Sequence, residues 1–190
     1  MASATYPSLG DRTVIVTGGA SGIGEAIVRA FAGQGARVGF LDMDKAAAEK
    51  LVADLPQDRV AFEYCDLRDI DALRKAIAAV RDKLGPISIL VNNAARDDRH
   101  DMDTVTSDYW DERIATNLKH QFFAAQAVAP DMRAAGGGAI VNMGSVSWIV
   151  GQGGMPCYTT AKSGVAGLTR SLARAGSRSE ERRVGKECRS

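Results

Sequence analysis

The stretch Arg12-Thr13-Val14-Ile15-Val16 runs straight into Thr17-Gly18-Gly19-Ala20-Ser21-Gly22-Ile23-Gly24, after which Ile23, Ile27, Ala30 and Phe31 recur at helical spacing. A β-rich run, a glycine turn and an amphipathic helix in immediate succession make a strand-turn-helix unit, which commits the next strand to run parallel to the first. The pattern then repeats. Short apolar runs at Val14–Thr17, Arg37–Leu41, Arg59–Tyr64, Ile87–Val91 and Ala139–Met143 alternate with longer segments of helical period. One such segment carries Ile70, Leu73, Ile77, Val80 and Leu84, and another begins with Trp110, Ile114, Leu118 and Gln121. Alternation of this kind predicts an α/β fold, a doubly wound parallel sheet covered by helices on both faces.

The bulk properties narrow the partners. A chain of 190 residues with 45% hydrophobic content can form a single domain that buries roughly 70% of its unfolded surface. A net charge of +1, with no block of like charge before Arg174, gives no footing to nucleic acid or an anionic membrane. A small-molecule substrate is expected instead. The first residues lack a basic start followed by an apolar stretch, and no apolar run is long enough for a membrane span, so a cytoplasmic location is expected. Cys65, Cys157 and Cys188 are too scattered for a disulfide framework or a zinc site, and no metal is expected.

In a doubly wound sheet, the first strand-to-helix turn needs glycines so that backbone amides and the helix N-terminus can approach a pyrophosphate. Gly18, Gly22 and Gly24 occupy those positions. Asp42 closes the second strand, where a carboxylate accepts from adenosine ribose hydroxyls and repels a 2′-phosphate. Neither Arg nor Lys lies between Thr17 and Gly24 to offset that repulsion, so NAD is favoured over NADP, with Lys45 nearby.

A second constellation carries chemistry. Tyr158 and Lys162 lie one helical turn apart, and Ser145 follows the fifth strand. A free phenol ionises near pH 10, so a tyrosine serving as a base near neutrality needs a cation beside it. One ammonium a few ångströms away supplies about 4 kcal/mol at an effective dielectric near 20. Asn117 falls on the stripe begun by Trp110 and Ile114, where an amide is either satisfied by backbone or used in the reaction, and use is the preferred reading. His120 reads as a structural or surface histidine.

Taken together, Thr17-Gly-x-x-x-Gly-x-Gly24, Asp66, Asn92-Asn93-Ala94, Asn117, Ser145 and Tyr158-x-x-x-Lys162 resemble the short-chain dehydrogenase/reductase family in order and spacing. The resemblance implies a Rossmann-type sheet of strand order 3-2-1-4-5. It also implies a nicotinamide cofactor held by Thr17, Gly18, Ser21, Gly22, Ile23, Gly24, Asp42, Asp66, Leu67, Asn93, Ala94, Tyr158 and Lys162. Asp66 would contact adenine. The implied catalytic set is Asn117, Ser145, Tyr158 and Lys162, with Asn117 holding a water against Lys162. Ala95 stands where the family commonly has glycine. A homo-oligomer, tetramer or dimer, is implied through the helices around Phe122 to Met132 and Ala161 to Leu172.

A narrower resemblance, to bacterial NAD-dependent D-xylose 1-dehydrogenases and related aldose dehydrogenases, is carried by Tyr6-Pro7-Ser8-Leu9, the run from Asn92 to His100, Tyr109-Trp-Asp-Glu-Arg-Ile114 and Ser145-Val-Ser-Trp148. It implies oxidation of a sugar C1 hydroxyl to a lactone. Asp97, Asp98, Arg99 and His100, after the fourth strand, are candidate sugar ligands. Two other readings stay open: a family member acting on another secondary alcohol or ketone, and an NAD-binding fragment without catalysis.

The fragment reading has a basis in the C-terminus. Arg178 to Ser190 has almost nothing apolar and resembles the translation of a DNA-sequencing adapter, so residues 1–177 are read as an incomplete dinucleotide-binding catalytic domain and 178–190 as a non-native tail. Similar enzymes continue to roughly 250 residues. The chain is therefore expected to be C-terminally truncated, with its fifth strand left as an apolar edge.

Overall fold

The computed structural model describes residues 4–176, so the tail from Arg178 to Ser190, with Cys188, lies outside the described residues. Five strands, β1 (Thr13–Thr17), β2 (Arg37–Asp42), β3 (Val60–Tyr64), β4 (Ile87–Asn92) and β5 (Ala139–Asn142), form one parallel sheet in the order β3-β2-β1-β4-β5. Each matches its expected run to within a residue. Six helices connect and flank them: α1 (Gly22–Gly33), α2 (Lys45–Ala53), α3 (Ile70–Leu84), α4 (Ser107–Ile114), α5 (His120–Ala134) and α6 (Pro156–Gly176).

The central strands are buried on both faces, and successive side chains feed opposite cores. Val14, Val16, Val38 and Phe40 pack with Val28 of α1 and Leu51 of α2. Ile15, Leu41 and Leu90 pack with Leu73, Ile77 and Val80 of α3 and Ala124 and Val128 of α5. The α3 stripe lies where the sequence puts it. Its start is fixed by Asp69, whose carboxylate accepts from the amides of Asp71 and Ala72, a cap worth about 1 kcal/mol.

Two helix faces differ from the periodic reading. On α1 the buried residues are Gly24 and Val28, whereas Ile23 is 67% exposed and Ala30 is exposed. Gly24 must meet the preceding loop, and this turns the helix by one position. Further along, Trp110 is exposed and Ile114 and Leu118 are only half-buried, while Arg113, Asn117, His120 and Gln121 are buried. Here Ala115–Lys119 form a π-helical turn between α4 and α5, and its extra residue rotates the face that a regular 3.6 period would bury. Among the described residues, no helix is long and apolar enough to cross a membrane.

Candidate active site

All the chemistry-bearing side chains converge on the carboxyl edge of the sheet. At the end of β1, Gly18 adopts φ 66°, a left-handed conformation, and a Cβ there would sit 2.9 Å from the Ala94 Cα. A Cβ on Gly24 would overlap the Gly18 carbonyl and stand 2.7 Å from Asn93 Nδ2. Only glycine fits either place. The turn is braced from beneath: Thr17, fully buried, accepts from the Asn93 and Ala94 amides through its hydroxyl, and Asn93 Nδ2 donates to the Thr17 and Gly18 carbonyls. Thr17 and the Asn93 side chain thus shape the glycine turn rather than face a ligand.

Above the turn the surface is open. Ser21 precedes α1 without capping it by a side-chain bond, Gly22 has nothing within 4 Å of a would-be Cβ, and Ile23 projects outward. The first-turn amides of α1 therefore point into a shallow cradle that suits a phosphate. Asp42 stands at its side, with Oδ2 accepting from the Ala20 amide at 2.9 Å and Oδ1 from the Met43 and Asp44 amides. Lys45 is turned over the Tyr64 ring, 4.6 Å from its centroid.

Asp66, at the end of β3, is engaged by Arg68 through Nε and Nη2, the latter at 2.6 Å, and this guanidinium holds its carboxyl below the usual range. Leu67 is half-buried beside it. Burial, with Asp66 adding to it, pushes the neighbouring Cys65 thiol up to about 12, so it stays protonated.

The second group is built by α6, β5 and the π-helical turn. Tyr158 and Lys162 share one face of α6, with the Lys162 ammonium 5.6 Å from the Tyr158 ring centroid. Lys162 is 2% exposed and donates to the Met143 carbonyl at 2.7 Å, and burial pushes its pKa down. That bond ties α6 to the segment carrying Ser145, whose hydroxyl donates to Ser147 Oγ at 2.8 Å and accepts from the Ser147 amide. Asn117 does not offer its amide to the site. Its Oδ1 accepts from the Arg96 amide at 2.8 Å and its Nδ2 donates to the Arg113 carbonyl at 2.9 Å, which leaves the backbone carbonyl, shared with Gln121 Nε2, as the part of Asn117 free for further bonding.

The loop after β4 is more committed than its sequence suggests. Asp98 accepts from Arg96 and from the buried Arg113, and His100 packs edge-on against Tyr109. His100 also lies 3.0 Å from the Asp98 carbonyl through Nδ1 and accepts from the Cys157 amide through Nε2 at 3.4 Å. Asp98 and His100 are therefore structural, whereas Asp97 and Arg99 stay exposed. Ala95 has no left-handed backbone, so alanine costs nothing where a glycine was expected. Arg113 and His120, both buried, were not singled out in the sequence as parts of the site; the signal was their i and i+7 placement on one helical face.

The glycine turn, Asp42 and the Tyr158–Lys162 pair thus stand along one sheet edge. Residues 12–182 match the short chain dehydrogenase family. The chain belongs to that family.

This short-chain dehydrogenase is 49% identical over 175 residues to "Probable galactose dehydrogenase GalD" of Rhizobium meliloti (strain 1021), covering 90% of this chain and 68% of that one. It is 46% identical over 176 residues to D-xylose 1-dehydrogenase of Caulobacter vibrioides, covering 92% and 69%. Its fold superposes on the crystal structure of gox2181 with TM-score 0.82 at 33% identity, over 88% of this chain and 67% of that one. The short-chain dehydrogenase is accordingly an oxidoreductase that uses a nicotinamide cofactor and a small-molecule substrate.

Proposed function

We propose that this enzyme oxidises the C1 hydroxyl of an aldose of the xylose or galactose type to a lactone, with NAD as acceptor. The observation that carries the chemistry is the buried Lys162 ammonium beside the Tyr158 ring on one face of α6. In this reading Ser145 turns its hydroxyl from Ser147 to the reacting oxygen and Tyr158 takes the C1 hydroxyl proton. Lys162 stabilises the phenolate by its charge. The Asn117 carbonyl holds a water through which the proton leaves. A nicotinamide held beside Tyr158 and Lys162 would supply the acceptor for the C1 hydride. The cradle above Gly22 and Ile23 would hold the pyrophosphate, and Asp66 and Leu67 would border the adenine.

Preference for NAD rests on Asp42. Three backbone amides orient its carboxylate, so a 2′-phosphate there would meet a fixed negative charge while Lys45 is engaged on Tyr64. Support for a sugar comes from the names of the two relatives and from the polar loop after β4, whose Asp97 and Arg99 are free to bond hydroxyls. The exposed Phe122, stacked edge-on against Phe123 on α5, supports assembly of a homo-oligomer through that helix.

The test is a panel of pentoses, hexoses and simple secondary alcohols with NAD and NADP. Turnover confined to aldoses with NAD is expected, and preference for simple alcohols would replace the sugar reading. Tyr158→Phe should lower kcat by at least 10²-fold while NAD binding persists. Retained turnover in that variant would remove Tyr158 from the mechanism.

A further inference from the structure

Arg113 is 4% exposed and is the one buried arginine among the described residues. A guanidinium out of water has to be paired, and this one has two carboxylates. Its Nη1 donates to Asp98 Oδ2 and its Nε to Glu112 Oε2, while the Tyr109 ring centroid lies 5.0 Å from its central carbon. Both carboxylates reach further. Asp98 Oδ2 also accepts from Arg96 Nη2 at 2.8 Å, and Glu112 Oε1 accepts from the Thr116 hydroxyl and from Arg68 Nη1, each at 3.1 Å.

The backbone of the same residues grips Asn117. Its carboxamide spans two elements, with Oδ1 accepting from the Arg96 amide at 2.8 Å in the loop after β4 and Nδ2 donating to the Arg113 carbonyl at 2.9 Å on α4. Those two residues are also the ones whose side chains meet on Asp98 Oδ2. A closed ring results, Asp98–Arg113–Asn117–Arg96, tied by side chains at one end and by backbone at the other. Thr116, next to Asn117, is drawn to Glu112 by the same cluster. Both residues belong to the π-helical turn, a form uncommon enough that contacts outside the helix have to maintain it. Where that turn sits decides where the Asn117 carbonyl points.

We propose that Asp98 and Arg113 are positioning residues for the reaction, acting through Asn117. Their ion pair sets the gap between the loop after β4 and α4 that the Asn117 carboxamide bridges, and so aims the Asn117 carbonyl at the water of the proton relay. This rests on the relay role given to Asn117 above and not on which alcohol is oxidised. Apolar side chains of similar volume would pack α4 against the loop equally well, since a buried ion pair adds little stability over them. They would not fix its direction. A guanidinium offers its donors in a rigid planar fork, so Arg113 admits one approach of Asp98 and another of Glu112, and this locks the register of the helix against the loop. A lysine in its place would keep the charge and lose the fork.

The sequence has four asparagines, Asn92, Asn93, Asn117 and Asn142, so ¹⁵N-asparagine labelling gives four side-chain amide pairs, and Asn117→Ala assigns the one of interest. Arg113→Met should speed hydrogen exchange at Asn117 Nδ2 by about 10-fold or more, while Asn93 Nδ2, bonded at the glycine turn, exchanges as before. Asp98→Ala, at a half-exposed side chain, should do the same and serves if Arg113→Met fails to fold. Exchange unchanged at Asn117, or raised alike at Asn93, overturns the proposal. Kinetics give an independent reading on any alcohol that is turned over. Arg113→Met should lower kcat about 10-fold with KM and NAD affinity within about twofold of wild type, and Arg113→Lys should recover part of the loss. In an Asn117→Ala background the further loss should vanish, because the effect passes through Asn117. A full kcat in folded Arg113→Met, or losses that multiply in the double variant, also overturns it. Failure of the sugar reading would appear instead as wild-type enzyme inert to aldoses, with the Asn117 exchange pattern as expected.

Discussion

His120 makes the stability of the fold depend on pH. Its ordinary value is 6.5 and burial lowers it to about 4, so between these values the unfolded chain takes up a proton that the folded chain refuses. Stability is therefore full above the ordinary value and falls as pH drops towards about 4, by roughly 3 kcal/mol in total. Asp66, held down by Arg68, acts in the same direction only where free carboxylates begin to protonate, at lower pH. The urea midpoint should thus fall between about pH 7.5 and about pH 5, and His120→Gln should flatten that fall. A wild-type midpoint flat across this range would mean that the ring is not held neutral. Single residues were legible in the sequence where geometry demands a type or a spacing, as at Gly18 and Gly24, where only glycine fits, and at Tyr158 and Lys162, which share one face of α6. They were not legible where a partner decides the role. Asn117 was expected to act through its amide, yet that amide is bound at both ends to backbone, and Thr17 spends its hydroxyl on the loop after β4.

Strands read more clearly than helix faces. A parallel strand buried on both sides is a short continuous apolar run, and all five were found within a residue of their true limits. A helix face depends on what lies beneath it. Gly24 had to seat on the Gly18 carbonyl, and a π-helical turn shifted the register before α5; neither event leaves a mark in the hydrophobic period. The fifth strand was expected to be an apolar edge; among the described residues β5 pairs with β4 alone, and Val141 is 46% exposed. Unpaired backbone groups beside an exposed valine invite strand addition from a second chain. Val141→Lys should lower concentration-dependent light scattering without altering the far-ultraviolet circular dichroism. Unchanged scattering would place self-association elsewhere.

Across the whole molecule, a ladder of charge runs along one side of the site: Asp66, Arg68, Glu112, Arg113 and Asp98, each paired with the next. It links the loop after β3, beside the proposed adenine site, to the loop after β4, beside the proposed sugar site. A bound dinucleotide would therefore brace loops that no single element holds. NAD at about 100 times its Kd should stabilise the fold by about 2.7 kcal/mol, read as a rise in melting temperature, and NADP at equal concentration should do less. Equal shifts would remove the role given to Asp42. The single bond from Lys162 to the Met143 carbonyl has a last consequence, for heat. Met143 follows β5, which among the described residues is held from one side by β4, so the steadiness of Lys162 depends on a strand with one partner. On slow warming, turnover should vanish some degrees before the helices melt, and cooling from that interval should restore it.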